Sequence, residues 1–309
     1  MSVYKNIMKF YAKSSIWTKL LLWVFVIFII AGLMRKYTPV REGFIQKEAF
    51  ILKEGPDVFD DFYASIYDDL VFSNVKNDFE IGEIINTTKA SSASRLLDIG
   101  TGAGHHVDLF TKKGIDATGL DISPAMIERA QKLYPNSQFM LGDVLDFMLF
   151  PEQSFTHLTA LYFTIYYIKD KLRFFENCFD WLMPGGYLVL HLVNRDQFDP
   201  IVEAADPLFM VSPQKFSKKR ITNSLVKFKD FQYKADFTLE DGQNLGIFTE
   251  TFKDDNSKNV RQNIHKLYME PQKHILGLAK DTGFILLGKI DMITVQYEYQ
   301  YIYILEKPQ

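Results

Sequence analysis

The chain has 309 residues, of which 47% are hydrophobic and 24% charged, the balance of an ordinary globular protein with one substantial core and an accessory layer. Its single cysteine, Cys178, excludes an intramolecular disulfide framework, and no Cys/His cluster has zinc spacing, so no metal site is expected. The net charge of -3 hides an asymmetry: residues 1–41 hold seven Lys or Arg and no acid, leaving 28 basic against 38 acidic residues, or -10, in the remainder, and such an acidic body is a poor electrostatic partner for nucleic acid.

Residues 1–15 read as a basic flank. Residues 16–34, IWTKLLLWVFVIFIIAGLM, contain an uninterrupted apolar run from Leu20 to Met34, and the segment approaches the length of roughly 20 residues that spans a bilayer. Trp17 and Trp23 suit an interface and Lys19 can snorkel to headgroups. A single-pass transmembrane helix is the expectation. A cleaved signal peptide fits less well, because the run is long for its apolar region and no small-x-small site follows Gly32. A buried core helix fits less again, since the run has no polar face. Lysines 5, 9, 13 and 19 on one flank balance Arg35, Lys36, Arg41 and Lys47 on the other, so charge does not orient the segment. Residues 35–56, punctuated by Pro39, Gly43, Gly55 and Pro56, read as a linker, and a single domain is expected over 57–309.

Phe59, Phe62, Tyr63, Ile66, Tyr67 and Leu70 recur at helical spacing, and a second helix is expected near 78–90. From residue 95 strands and helices alternate, the signature of a parallel sheet covered on both faces. Arg95 to Ile99 is the first strand. It carries Asp98 at its end and leads into glycines 100, 102 and 104, then a helix from His105 to Lys113. A carboxylate at a strand end, before a loop bare of side chains, describes a nucleotide-type pocket at the carboxyl edge of the sheet. His105 occupies the place of the third small residue of a dinucleotide fingerprint. Asp98 would also repel a pyrophosphate, whereas it would attract an ammonium or sulfonium.

The second strand, 115–120, ends in Asp121, and Ser123-Pro124 caps a helix running to about Tyr134. Gln138 to Leu141 is the third strand, followed by Gly142-Asp143-Val144. Acids at 98, 121 and 143 thus close three successive strands, a coincidence that turn chemistry alone does not supply. Phe155 to Leu161 is the fourth strand, leading into Tyr162, Tyr166 and Tyr167. A helix over 169–182 stops at Pro184-Gly185-Gly186, and 187–193 is the fifth strand, ending near His191, Asn194 and Arg195. Residues 196–270 read as an antiparallel insertion, opened by Asp199-Pro200 and Asp206-Pro207 and folded about Asp241-Gly242. It includes a basic patch, Lys215, Lys218, Lys219 and Arg220, read as solvated surface. A helix over 271–281 and strands over 284–290 and 299–305 complete the chain, with Tyr297, Tyr299, Tyr301 and Tyr303 expected on one face.

The loop Asp98-x-Gly100-x-Gly102-x-Gly104, the acids at 121 and 143 and the segment LMPGGYLVLHL together resemble the class I S-adenosylmethionine-dependent methyltransferases of small-molecule type, over about residues 57–308. The resemblance implies an α/β fold, a Rossmann-like seven-stranded methyltransferase sheet with helices on both faces and an antiparallel final strand; the residues themselves add an antiparallel β insertion after strand five and an N-terminal transmembrane helix. It implies S-adenosyl-L-methionine as cofactor, held by Asp98, Gly100, Thr101, Gly102, Gly104, Asp121, Ile122, Asp143, Val144 and Tyr67. Asp121 would accept from the ribose hydroxyls and Asp143 from the adenine amine. Tyr63, Tyr67 and Asp68 would belong to a helix that lids the pocket. Tyr162, Tyr166 and Tyr167 would face the methyl acceptor, a small molecule rather than a nucleic acid, with His191 as a base. Thr156 and His157 stand where the family usually carries an Asp. The implied reaction is in-line displacement at the methyl carbon, and the catalytic domain is expected on the cytosolic side of a membrane because its inferred cofactor is a cytosolic metabolite. Two other readings stay open: a nicotinamide oxidoreductase on the same sheet, and a membrane-tethered binding protein that keeps the cofactor fold without catalysis.

Overall fold

The computed structural model describes residues 11, 13–37, 46, 48–201, 214, 217–240 and 242–309, the side chains of 27–37 excepted. The start of the basic flank, linker residues 38–45, Asp206-Pro207, Lys215 and Asp241 lie outside the described residues. Two units divide the chain, Met1–Ile45 and Gln46–Gln309. In the first, α1 (Ile16–Tyr37) is a 22-residue helix. No helix among the described residues is long and apolar enough to cross a membrane, so the anchor expected over 16–34 stands without structural support.

Among the described residues of the second unit, two sheets are built from β1 to β12 in chain order. The larger has seven strands. β2 (Arg95–Ile99), β3 (Asp116–Asp121), β4 (Gln138–Leu141), β5 (Phe155–Ala160) and β6 (Leu182–Val193) are parallel, and they are joined by β11 (Ile285–Asp291) and β12 (Gln300–Glu306). The order is β11-β12-β6-β5-β2-β3-β4, with β12 antiparallel to both neighbours, as the resemblance implies. The chain enters at the centre, winds out through β3 and β4, then crosses to β5. That reversal opens a crevice at the strand carboxyl ends, where ligands bind in such sheets.

Helices cover both faces. α3 (Asn74–Thr88) and α4 (His105–Lys112) bury Ile81, Ile84, Val107 and Phe110 on one. α6 (Thr164–Tyr167), α7 (Lys171–Trp181) and α8 (Gln272–Thr282) bury Tyr166, Phe174, Phe175, Trp181, Ile275 and Ala279 on the other. Each large apolar side chain removed from water contributes about 1.5–3 kcal/mol. Cys178 is a fully buried packing residue of α7. Local chemistry sets the helix starts: Asp60 accepts from the amide of Tyr63 to open α2 (Asp61–Val71), and Ser123 accepts from Met126 to open α5 (Pro124–Leu133) with proline at its first turn.

The smaller sheet, β1-β10-β9-β8-β7, is the expected insertion with one addition. β7 (Asn223–Lys227), β8 (Phe231–Glu240), β9 (Leu245–Asp254) and β10 (Val260–Tyr268) form an antiparallel meander. β1 (Phe50–Glu54), taken from the stretch read as linker, pairs parallel with β10 from Phe50↔Val260 to Glu54↔Ile264. Two further expectations are corrected. The helix ends at Trp181, ahead of Pro184-Gly185-Gly186, but the strand expected from 187 begins at Leu182, so the three residues lie within β6, Gly185 taking φ 76°. The four-tyrosine ladder fails because Tyr299 takes φ 62° before β12 begins, leaving Tyr301 and Tyr303 as the pair on that strand, ring centroids 6.3 Å apart. Thr156, where the family has an acid, accepts from the amide of Arg95 at 2.9 Å and donates to its carbonyl at 3.1 Å, continuing the β2–β5 pairing with a side chain.

Polar groups also hold the interior together. The Tyr166 hydroxyl accepts from the buried amide of Val193 at 2.8 Å, fixing the end of β6. On α3, Lys76 and Glu80 are both buried and 3.0 Å apart, and His106 of α4 meets the same Glu80 oxygen at 2.7 Å. Burial opposes the ionisation of Glu80, but Lys76 and His106 outweigh it and hold its carboxyl down at about 2.

Two outcomes follow from these bonds. Tyr166→Phe leaves the Val193 amide without its hydroxyl partner and should cost about 1–3 kcal/mol in urea unfolding with an unchanged denaturant slope. Because the Glu80 carboxyl lies below its ordinary 4.5, its stabilisation is complete above about pH 4.5 and is lost as pH falls toward about 2. Glu80→Gln should therefore flatten the acid limb of stability against pH, while lowering stability at neutral pH.

Candidate active site

A cavity of about 830 Å³ opens at the carboxyl ends of β2 to β5, and the rest of its wall comes from α2, α3 and strands β8 to β10. Asp98, Asp121 and Asp143 all line it, as the sequence reading requires. Asp98 is almost fully buried and accepts from the Thr159 hydroxyl at 2.7 Å. Asp121 accepts with both oxygens, from Gly102 N–H and from Ser123 N–H, each at 2.9 Å. Asp143 accepts from Leu145 N–H at 2.9 Å. Burial raises the carboxyl pKa of Asp98 and of Asp121 above the ordinary value; Thr159 opposes this at the first and the Ser123 and Gly102 amides at the second. Repulsion from Asp98 adds to the shift of Asp121. A ligand carrying positive charge relieves both effects.

The glycines make room for it. Gly100 and Gly102 line the cavity at φ 68° and 55°. A Cβ on Gly100 would stand 2.5 Å from the Thr164 hydroxyl, so the loop and α6 touch there through hydrogen alone. Thr101, Ile122, Val144 and Tyr67 line the same space. Val144 is fixed from behind by Asn177, whose side-chain amide donates to its carbonyl at 2.8 Å. Burial, reinforced by Asp121 and Asp68, raises the Tyr67 pKa and keeps its phenol a donor. These residues therefore fit an adenosine-bearing cation: carboxylates for its polar groups and a cradle into which backbone alone projects.

Three expected site residues fall elsewhere. Gly104 does not line the cavity; a Cβ there would meet Phe139 at 2.6 Å and Ala130 at 2.9 Å, so it serves packing of the loop onto α5. Tyr166 is fully buried and bonded to β6, with no face on the cavity. His191 is likewise fully buried off the cavity, and burial drops its pKa to about 4, so its ring is a weak base with no access to an acceptor there. Arg195 turns away to the insertion, donating to Asn244 and to the carbonyl of Met269. Tyr162 and Tyr167 do line the cavity, Tyr162 at φ 51°. Tyr63 lines it too, while Asp68 pairs with His105 at 2.7 Å and Arg129 at 3.1 Å. Burial opposes ionisation of Asp68, and these two partners more than reverse it. His105, which breaks the dinucleotide fingerprint, is thus engaged by Asp68 and by Tyr134 at 2.6 Å.

Residues that sequence reasoning passed over complete the wall. Lys76, Asn77 and His106 enter from α3 and α4, with the Lys76 ammonium 5.2 Å from the ring centre of Tyr162. His265 enters from β10. Lone polar residues on a helix or an alternating strand give no local signal of a site. Their partners identify them, and those lie far away in sequence.

Residues 97–190 match the family described as a methyltransferase domain. Curated relatives include the dTDP-4-amino-2,3,4,6-tetradeoxy-D-glucose N,N-dimethyltransferase of Saccharopolyspora spinosa, 33% identical over 144 residues, which cover 44% of this chain and 57% of that one. Another is the dTDP-3-amino-3,4,6-trideoxy-alpha-D-glucopyranose N,N-dimethyltransferase of Streptomyces venezuelae, 30% identical over 137 residues, covering 43% and 55% respectively. The chain thus spans about half the length of the curated relatives it matches. In fold, it resembles a solved S-adenosylmethionine-dependent methyltransferase from Clostridium acetobutylicum, with a TM-score of 0.60 at 17% identity over 80% of this chain and 98% of that one. The matched segment, the strand order and the three acids around one cavity agree: residues 97–190 match a methyltransferase domain, in a fold that resembles solved S-adenosylmethionine-dependent methyltransferases.

Proposed function

We propose that the protein transfers a methyl group from S-adenosylmethionine to a small-molecule acceptor by in-line displacement. The observation that carries this reading is the meeting of Asp98, Asp121 and Asp143, each at the end of a successive strand, in a cavity whose other wall is the aromatic face of the insertion. When bound, the cofactor supplies a methyl group on a sulfonium, already a good leaving group. The chain then contributes position. Asp98 would attract the cationic end, Asp121 would accept from the ribose and Asp143 from the adenine. Tyr162, Tyr167 and His265 would border the acceptor. Alignment of this kind can be worth about 7–11 kcal/mol. The two named relatives act, by their names, on amino sugars linked to dTDP, and this supports a sugar-sized acceptor bearing a nucleophilic nitrogen or oxygen.

The same reading extends to location: residues 16–34 tether the domain to a membrane, with catalysis on the cytosolic side. Support comes from the apolar run Leu20 to Met34 and from Ile16, Trp17, Leu21 and Phe25, each more than 60% exposed on α1.

Calorimetry on the full chain should register binding of both S-adenosylmethionine and S-adenosylhomocysteine, and Asp121→Ala should weaken each at least about tenfold, the loss of charged hydrogen bonds. Folded protein giving no heat with either ligand would overturn the assignment. For the tether, the chain should remain in the pellet after alkaline carbonate extraction of membranes, and deletion of residues 16–34 should release it; extraction of the intact chain would refute the tether alone.

A further inference from the structure

We propose that Tyr167, His265 and Glu250 form a relay that takes the proton from the methyl acceptor. The proposal rests on the methyl-transfer reading above. The Tyr167 hydroxyl lies 2.8 Å from His265 Nδ1, and His265 Nε2 lies 2.8 Å from Glu250 Oε2. Tyr167 and His265 line the cavity; Glu250 is fully buried behind them. Tyr233 donates to the other Glu250 oxygen at 2.8 Å, and the Asn263 side-chain amide donates to Oε2 at 3.4 Å. An ionised carboxylate only accepts, so Nε2 carries the imidazole hydrogen and Nδ1 accepts from the tyrosine. The phenolic oxygen is left with lone pairs, on a residue that faces the cavity.

The step balances without any outside reagent. An acceptor N–H or O–H gives its proton to the Tyr167 oxygen as the Tyr167 proton passes to His265 Nδ1. The acceptor keeps the electron pair that forms the new bond to the methyl carbon, and the carbon–sulfur pair leaves with the sulfur. The imidazolium that results is held by Glu250. Tyr167 and His265 are the catalytic residues of this relay, and Glu250 is a positioning residue. The surroundings isolate the triad. Phe59 precedes α2, Tyr63 lies on α2 and Phe248 on β9, each with its ring 5.6–5.8 Å from His265. Tyr233 faces Glu250 from β8 and Asn263 from β10. Arg261, the next cation along β10, is committed to Asn263, Asp60 and the Val58 carbonyl. Lys266 bonds Glu54. Glu250 is therefore the charge that governs His265. A buried pair of this kind is weak evidence for stability by itself. Its position at the cavity wall, on the element that differs most from the simple fold, is what argues for use.

The test uses the full chain with labelled S-adenosylmethionine and two probes, a dTDP-linked 4-amino sugar and dTDP-glucose, which distinguish an amine from a hydroxyl acceptor. The wild type should show a rate that rises with pH along one limb. His265→Gln should lower kcat about a hundredfold or more and abolish that limb. Glu250→Gln should move it to lower pH, because the imidazolium loses its anion. Tyr167→Phe, which keeps the ring and hence the packing, should lower kcat with KM little changed. In every variant, S-adenosylhomocysteine should bind within about threefold of wild type; loss of binding by wild type itself would strike the methyl-transfer reading rather than the relay. Wild-type kcat and pH profile in His265→Gln would overturn the relay alone. If neither probe is methylated, ¹⁵N-histidine spectra decide: hydrogen on Nε2 of His265 supports the relay, and hydrogen on Nδ1 overturns it.

Discussion

The Asp121 carboxylate ties the site together. One oxygen takes the Gly102 amide from the loop after β2, and the other takes the Ser123 amide from the loop after β3. Two loops from neighbouring strands are thereby held at a fixed separation by one side chain. The Leu120 carbonyl adds to this by accepting from both Gly100 and Thr101 at 2.8 and 3.0 Å. Such bracing requires close approach: a Cβ on Gly119 would stand 2.8 Å from Thr101. A carboxylate so committed is oriented before any ligand arrives, at the cost of burying a charge whose proton affinity rises.

The insertion is pinned to this frame in another way. Lys171, buried at the start of α7, donates to the carbonyls of Ile168 and Tyr268 at 2.8 Å and pairs with Glu270 at the same distance. Arg195 reaches from the end of β6 to the Met269 carbonyl at 2.7 Å. Arg261 carries β10 to Asp60, the residue that caps α2. Cations bonded to carbonyls and carboxylates thus set the roof of the cavity over its floor. Directional bonds suit this task better than apolar packing, because a shift that leaves such a group unpaired costs about 1–3 kcal/mol.

How much of this was legible follows from the range of each interaction. Asp98, Asp121 and Asp143 were readable because strand, acid and loop are consecutive in sequence, and the sheet brings the three ends together by a rule of topology. The seven-stranded sheet and its antiparallel last strand came instead from the family resemblance that those acids and the glycine loop carry. β1 was not, since Phe50 pairs with Val260, and nothing in FILKE names that partner. Nor was the polar interior of the insertion: Arg261, Asn263 and His265 alternate inward along β10, so its buried face reads as surface. Tyr166 and Tyr167 are adjacent on a four-residue helix and serve opposite ends, one bonded to β6 and the other to His265. Sequence cannot separate them, because the difference is a rotation fixed by the partners. His191 failed as a base for a related reason: strand position placed it near the cavity, whereas the pleat turned it into the core.

Tyr67 stands where the two halves meet. Burial raises its pKa first, and the carboxylates that add to this belong to both, with Asp121 and Asp98 from the strand ends, Asp68 from α2 and Glu250 from the insertion. A phenol so surrounded cannot ionise without adding another negative charge, so it remains a neutral donor beside anions. Catalysis profits only from interactions that strengthen toward the transition state. Asp98, an anion beside the cofactor loop, favours positive charge before transfer, and this is binding. In the proposed relay, Glu250 would favour positive charge that reaches His265 as the acceptor gives up its proton, which would be stabilisation gained along the reaction. Neutral Tyr67 between them lets both fields act without bridging them by a charge of its own.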